Sequence, residues 1–516
     1  MKTKIFGAID VGSYELGLKI FEFSQNKGMR QIDHLRYPLD LGTDTFQTGK
    51  LPAEKVDELS RILRQFNEVM KSYKVEDYVA YGTSAIRETK NTMILLDQIQ
   101  QRTGIKIDVL SNSEQRFLDY KSVASKGETF DKLLEGSTAI LDFGGGSLQI
   151  SLFEQATLIT TQNLRLGVLK LQDMLRSMNL KRTEYEAVLV EIMDAQLKVF
   201  QKLYLKGKEI DNIILIDDHI SSVIAKRNNS ANNSNIRAND VVDIEYVRQN
   251  MSEFSQKSIT ELSAMYDTPK ESVTLLYISV VMLNRCVSLM NAKTVWIPGV
   301  TLCDGIAYEY AEKNKLLKPS HDFEKDIVAS AINISKRYSG SMKRSSTLEK
   351  IAVAIFDSTT QIHGLDKRDR LLLQLATMLH DCGKYISLNN LGPCSYNIIM
   401  STEIIGISHI EREIVANVVK YNHMDFDYYE TMILENLIDE ATYLRIAKLT
   451  AILKLANGLD RSHKQKFKDV KVTRKDNELI LKVDTSSDIT LERGMFGERA
   501  QFFEEVFSLK PVIVKK

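Results

Sequence analysis

A short pattern occurs twice in this 516-residue chain: Asp-x-Gly set between two apolar, alternating runs. In the first copy Ile5–Ile9 and Leu16–Phe23 flank Asp10-Val-Gly-Ser-Tyr-Glu15. In the second, Ser137–Asp142 and Leu148–Phe153 flank Gly144-Gly-Gly146. Alternation with period two, interrupted by glycine, predicts a β-hairpin at each place. Between them lie helical spacing over Lys55–Ser72 and a short strand at Tyr78–Tyr81, which ends at Gly82-Thr-Ser-Ala where a helix can begin. A strand at Ile107–Leu110 and a helix from about Ser113 follow. Two hairpins heading two successive α/β stretches predict an internally duplicated pair of lobes with a cleft between them.

A turn of this composition suits phosphate. Glycine lets the backbone approach an anion closely, and successive N–H groups then point at its oxygens. The hydroxyl of Ser13 or Ser147 adds a donor, and Asp10 and Asp142 can hold Mg²⁺ directly or through water. Lys+Arg and Asp+Glu each total 68, so no global basic field for DNA exists, although a local basic groove is compatible with that balance. Four widely spaced cysteines argue against a disulfide framework and for reduced thiols in a cytoplasm. The N-terminus alternates and carries Asp10, unlike a signal peptide, and the longest apolar stretch, Leu275–Leu283, is too short for a bilayer. A cytoplasmic protein with no membrane partner is expected.

The Asn- and Ser-rich segment Lys226–Asp240 reads as a loop. Lys315–Ser320 reads as a boundary, beyond which helical spacing runs from Asp322 to about Ser462. The last stretch, Asp469–Lys516, reads as a small α/β unit with strands at Val470–Val472 and Leu479–Val483 and a closing helix near Ala500–Phe507. The expected domains are therefore 1–127 and 128–314 (two α/β lobes), 320–466 (helical) and 467–516 (small α/β).

Five motifs taken together carry a family resemblance. Ile9-Asp-Val-Gly-Ser13, Gly82-Thr-Ser-Ala-Ile-Arg87, Ser111-Asn-Ser-Glu-Gln115, Leu141-Asp-Phe-Gly-Gly-Gly-Ser147 and Leu166-Gly167 stand in the order and spacing of the Ppx/GppA family of exopolyphosphatases and guanosine pentaphosphate phosphohydrolases. The resemblance implies the duplicated α/β ATPase fold of actin, sugar kinases and heat-shock chaperones (ribonuclease H-like), followed by an HD-type all-α domain. It also implies Mg²⁺-dependent removal of a terminal phosphate from inorganic polyphosphate or pppGpp, and a homodimer. Carried over by position, Gly12 and Ser13 form the first phosphate loop and Gly144, Gly145, Gly146 and Ser147 the second. Asp10, Asp142 and Gln149 lie at the metal, and Arg87 faces phosphate oxygens.

The departures from the family pattern are as informative. The family's base-bearing Ser-Gly-x-Glu-Glu-Ala is here Ser111-Asn-Ser-Glu-Gln-Arg116, so the position of the base holds Gln115. The second loop, which normally ends in Glu, ends in Gln149. An amide can orient water but cannot take its proton near neutral pH. Tyr14-Glu15 replaces Asn-Ser, Ile216-Asp-Asp-His219 replaces a glycine-containing turn, and Thr301-Leu-Cys-Asp-Gly305 lacks the family's Arg. Glu15, first, and Glu114, second, are the substitute bases this reading offers, and Glu15→Gln is expected to abolish phosphate release. Loss of a base costs about 10²–10⁴ in rate.

In the helical part His380-Asp381 follows the apolar run Leu371–Leu379, as in HD phosphohydrolases, and His423 lies downstream. Ser339, Cys394 and Asn457 stand where further ligands are expected, so the pair reads as a structural remnant of a metal site. Arg337, Lys343, Arg344, Lys420, Arg461, Lys464 and Lys466 read as a solvated basic face, or as a track for a linear polyanion. The leading reading is a phosphoanhydride hydrolase. The alternatives are a catalytically weakened polyphosphate or (p)ppGpp sensor and, behind it, an actin-like or chaperone ATPase.

Overall fold

Residues of alternating polarity form strands in the computed structural model, which describes residues 3–24, 28–178, 180–217, 219–220, 241–245, 257–266, 270–319, 321–436, 438–467 and 469–515. The Lys226–Asp240 loop expected from the sequence lies outside the described residues. The chain divides into two compact units, Met1–Phe323 and Glu324–Lys516.

The first unit opens with β1 (Lys4–Val11) and β2 (Glu15–Ser24), the predicted hairpin, and adds β3 (Gly28–Pro38). Helix α1 (Ala53–Ser72), β4 (Asp77–Gly82), the single-turn α2 (Ser84–Arg87), β5 (Asp108–Val109) and α3 (Asn112–Ala124) follow. The second hairpin is β6 (Ser137–Phe143) and β7 (Leu148–Glu154), followed by β8 (Thr157–Leu164), β9 (Asn212–Ile216), β10 (Val241–Asp243), helix α4 (Lys270–Met290), β11 (Thr294–Trp296) and α5 (Leu302–Lys313).

The two sheets repeat one topology. The first runs β3-β2-β1-β4-β5 and the second β8-β7-β6-β9-β11, with β10 added at the edge. In each, an antiparallel hairpin is extended by strands parallel to its first strand. Pleating sorts the side chains of β1, with Ile9 and Val11 packed against α1 residues Leu59, Leu63 and Phe66. Phe6 and Ala8, on the opposite face, pack with Leu302, Ile306 and Ala307 of α5. In the second lobe Leu141, Ile150 and Leu215 share a core with α4. That helix extends well beyond the nine-residue apolar stretch read from the sequence: Ser272–Met290 is long and apolar enough to cross a membrane, and 67% of it is buried inside the protein, as a core helix is.

Two local signals decide how α3 sits. Ser111 caps its start by accepting from the Glu114 N–H, while the Glu114 carboxylate accepts from the Ser111 N–H at 3.0 Å. Farther along, a Cβ at Gly305 would collide with the Leu118 carbonyl, so this glycine sets the close crossing of α3 and α5.

In the second unit helices α6 (Met342–Ser358), α7 (Lys367–Leu379), α8 (His409–Tyr421) and α9 (Glu440–Leu459) pack together. A three-stranded sheet follows, made of β12 (Asp469–Lys475), β13 (Glu478–Asp484) and β14 (Lys510–Lys515), with α10 (Thr490–Phe507) between the last two. The expected closing helix is thus not the last element. The chain returns as β14, whose Pro511 sits on an edge strand, where its missing N–H is tolerated.

Candidate functional site

The two hairpin turns have the same construction. Gly12 N–H donates to the Glu15 carbonyl at 3.0 Å, and Gly144 N–H to the Ser147 carbonyl at 3.0 Å. Each turn therefore holds four residues, Gly12-Ser-Tyr-Glu15 and Gly144-Gly-Gly-Ser147. Asp10 and Asp142 lie at matching places two residues before them. By this register Ser13 corresponds to Gly145 and Ser147 to Glu15, so the two predicted hydroxyl donors are not equivalent. The turns meet closely: a Cβ on Gly145 would stand 3.1 Å from the Ser13 Cβ and 2.9 Å from Leu169, and one on Gly167 would overlap Gly145 and Gly146. Glycine at 145 lets the second turn lie against Ser13 without crowding, and glycine at 167 lets the chain pass directly beside Gly145 and Gly146.

Around them opens a cavity of about 610 Å³, bordered by Asp10, Gly12, Ser13, Asp142, Gly144 and Gly145, with Glu15, Gln115, Asp119 and Asp217 also on its wall. His34, Arg36 and His219 border it as well. The wall thus carries five carboxylates against one guanidinium and two imidazoles. Gly146 and Ser147 complete the second turn, and the cavity's border does not include them. Ser13 Oγ lies 2.7 Å from Ser84 Oγ at the start of α2, and it accepts from Ala85 N–H at 3.2 Å. Tyr14, which replaces a family Asn, reaches across to α4, its hydroxyl 2.5 Å from Ser272 Oγ.

The candidate bases separate clearly. Glu15 is on the cavity wall and accepts from Arg36 Nε at 2.5 Å. The carboxylate of Glu114 serves the α3 cap, and Glu114 is not among the residues bordering the cavity. Gln115 borders it and accepts from Arg87 Nη1 at 3.4 Å. Arg87 also donates to the Leu110 carbonyl at 2.7 Å. Arg87, expected to face phosphate, is not among the residues bordering the cavity, and its Nη1 is shared between the Leu110 carbonyl and Gln115 Oε1. Sequence reasoning passed over Asp119. It lies four residues after Gln115 on the same face of α3, and that spacing is the signal that would have found it.

Behind the cavity Lys19 and Asp304 form a buried ion pair at 2.6 Å. Cys303, in place of the family's Arg, borders the cavity, and burial pushes its thiol well above its usual range, so it stays neutral.

Gln149 stands directly opposite Asp142 across the β6–β7 ladder, and its buried Oε1 accepts no hydrogen bond. Among the described residues no group of three or more His, Cys, Asp or Glu gathers as a metal cage. Asp10 and Asp142 are hard oxygen donors that both border the cavity, and Gln149, opposite Asp142 on the ladder, is not among its bordering residues. That set fits Mg²⁺, which takes one or two carboxylates and completes its shell with water and phosphate oxygens.

The His380-Asp381 cluster in the second unit is different. His380 is fully buried directly after α7, and its Nδ1–H donates to the Thr377 carbonyl at 2.8 Å. Burial lowers its pKa to about 3, so it is neutral. Asp381 pairs with Lys384 at 3.1 Å. His423 donates from Nε2 to the backbone carbonyl of His380 at 2.7 Å, so that nitrogen is not turned toward the His380 ring. Arg344, counted above with the solvated basic residues, is 3% exposed. Its Nη2 donates to Asn457 at 2.7 Å and its Nε lies 3.4 Å from Asp460. An organic cation balances the buried carboxylates here.

Comparison with known proteins agrees with this geometry. The model of the Ppx/GppA phosphatase family matches residues 20–314, and the model of its domain III matches residues 328–494. The chain is 19% identical over 466 residues to a guanosine-5'-triphosphate,3'-diphosphate pyrophosphatase of Photobacterium profundum, covering 87% of each chain. It is 25% identical over 146 residues to exopolyphosphatase 1 of Mycobacterium tuberculosis, a match spanning 28% of this chain and 41% of that one. A bifunctional 3-dehydroquinate synthase/phosphatase of Fusobacterium nucleatum is 23% identical over 172 residues, 32% of this chain and 26% of its own length. Among solved structures, an exopolyphosphatase from Cytophaga hutchinsonii superposes with a TM-score of 0.54 at 17% identity, covering 61% of this chain and all of that one. The Aquifex aeolicus family member gives 0.51 at 18% identity, over 62% of this chain and 100% of its own. These neighbours share the duplicated actin-like α/β fold.

Proposed function

The chain belongs to the Ppx/GppA phosphatase family, and from that premise we propose that it hydrolyses the terminal phosphate of a phosphoanhydride, inorganic polyphosphate or pppGpp, in the cavity between its two hairpin turns. The observation that carries this reading is the matched pair of glycine-containing turns, each preceded by an aspartate and both bordering one cavity. N–H groups inside the turns, from Ser13 and Tyr14 on one side and Gly145 on the other, are the donors a terminal phosphate would meet. Phosphoryl transfer asks mainly for positioning and for stabilisation of developing charge, and two facing turns supply both.

A polyanion cannot enter a wall carrying Asp10, Glu15, Asp119, Asp142 and Asp217 without cations. Mg²⁺ held by Asp10 and Asp142 would offset that repulsion and neutralise phosphate oxygens. Gln115, which accepts from Arg87, holds the attacking water. Binding without turnover is the alternative that Gln115 and Gln149 favour, because both keep the shape of a carboxylate and lose its charge.

The test is phosphate release from long-chain polyphosphate and from pppGpp, with and without Mg²⁺, beside calorimetric binding of both. Mg²⁺-dependent release is expected. Tight binding with no release would replace the hydrolase by a sensor.

A further inference from the structure

We propose that Asp119 is the general base of this chain, a carboxylate displaced one helical turn from the position where Gln115 now stands. The inference rests on the hydrolase reading above. Residues four apart on a helix present Cβ atoms about 5–6 Å apart on one face, and both Gln115 and Asp119 border the cavity that Asp10 and Asp142 also line. The carboxyl group missing from the first position is therefore present at the second. Asp119 is 5% exposed, and its location is fixed from both sides. Its neighbour Leu118 is held by the close approach to Gly305, and Tyr120 lies 2.7 Å from His321 Nε2 through its hydroxyl. A base must be placed to within a fraction of an ångström, and a capped, tightly crossed helix does this better than a turn.

The other carboxylates considered have partners too, and Asp217 on the wall accepts from Ser279 Oγ at 2.9 Å. Glu114 accepts from the Ser111 N–H, and Glu15 accepts from Arg36, a bond it would surrender on taking a proton. In the step assigned to Asp119, the oxygen of the water held by Gln115 bonds to the terminal phosphorus while the P–O bond to the rest of the chain breaks. The water's proton passes to the Asp119 carboxylate and then to solvent, and the bond pair leaves with the departing phosphate oxygen.

The experiment compares full-length wild-type, Asp119→Asn, Asp119→Glu and the double variant Asp119→Asn with Gln115→Glu in Mg²⁺-dependent phosphate release, across pH, with polyphosphate binding and thermal melting as controls. Asp119→Asn is expected to lower kcat about 10²-fold or more while binding holds, and Asp119→Glu to keep part of the activity. The double variant returns the carboxylate to position 115 and is expected to recover turnover. The acid limb of the kcat profile should vanish in Asp119→Asn and return in the double variant. Asp10, Glu15, Asp142, Asp217, His34, Arg36 and His219 also border the cavity and are present in every variant, so the limb is assigned by difference. Unchanged turnover in Asp119→Asn, or a folded double variant without rescue, would overturn the assignment and leave the hydrolase reading standing. A wild type that binds and never turns over would overturn both. If Asp119→Asn fails to melt cooperatively, Asp119→Glu and the double variant decide: loss of activity in both, with melting intact, contradicts the proposal.

Discussion

Two polar clusters in this chain use the same residue types and have opposite constructions. In the first unit carboxylates from different elements face an open volume of about 610 Å³ across glycine turns. In the second unit His380, Asp381, Asn457 and Asp460 are all buried, and the guanidinium of Arg344 occupies the cation's role among them. Residue type alone does not distinguish a reaction site from an internal ion-pair network. What distinguishes the two clusters is whether open space remains among the carboxylates, or whether the protein has supplied its own cation.

The largest effect that would test this contrast is on stability. Arg344→Met leaves Asp460, 2% exposed, as a buried charge without its guanidinium. Such a change costs about 3–5 kcal/mol, read as a lower urea midpoint with phosphate release unaltered in the protein still folded. A midpoint equal to wild type would make Arg344 dispensable.

Acid should act on the same cluster to a smaller degree. Burial holds His380 at about 3 and His423 at about 4, below their ordinary 6.5. Between 6.5 and those values the unfolded chain binds protons that the folded one does not, so stability is complete above 6.5 and falls as pH drops. Each group contributes a slope of up to about 1.4 kcal/mol per pH unit. Urea unfolding from about pH 7 to about pH 5 measures it, and His423→Gln should flatten the slope. A pH-independent midpoint would contradict the neutral, buried assignment.

The smallest effect is expected from metal at the second unit. Mn²⁺ in excess, or a chelator, should leave the urea midpoint of that unit unmoved, since Arg344 already balances its carboxylates. A clear rise with Mn²⁺ would reopen the metal reading of His380 and Asp381.

How far the sequence reaches follows the same line. Hairpins with strict alternation, such as Ile5–Ile9 with Leu16–Phe23, were legible because strand period and turn chemistry are local. β3 was not, since Gly28–Pro38 is an edge strand rich in charge, and its partner, not its pattern, holds it. Gln115 was legible as a departure, and Asp119 was passed over because its meaning depends on which face of α3 borders the cavity. Arg344 looked like one of several basic residues until the packing of α6 against α9 buried it beside Asp460. Arg87 was legible by its position in the motif, whereas the partners of its Nη1, the Leu110 carbonyl and Gln115, were not.

On this reading the first cluster carries the chemistry and the second does not. The most direct measurement compares Mg²⁺-dependent phosphate release by two isosteric variants, Asp142→Asn and Asp381→Asn, in full-length protein. The account predicts a loss of about 10²-fold or more in the first and turnover close to wild type in the second. Loss of turnover in folded Asp381→Asn, or its persistence in Asp142→Asn, would contradict it.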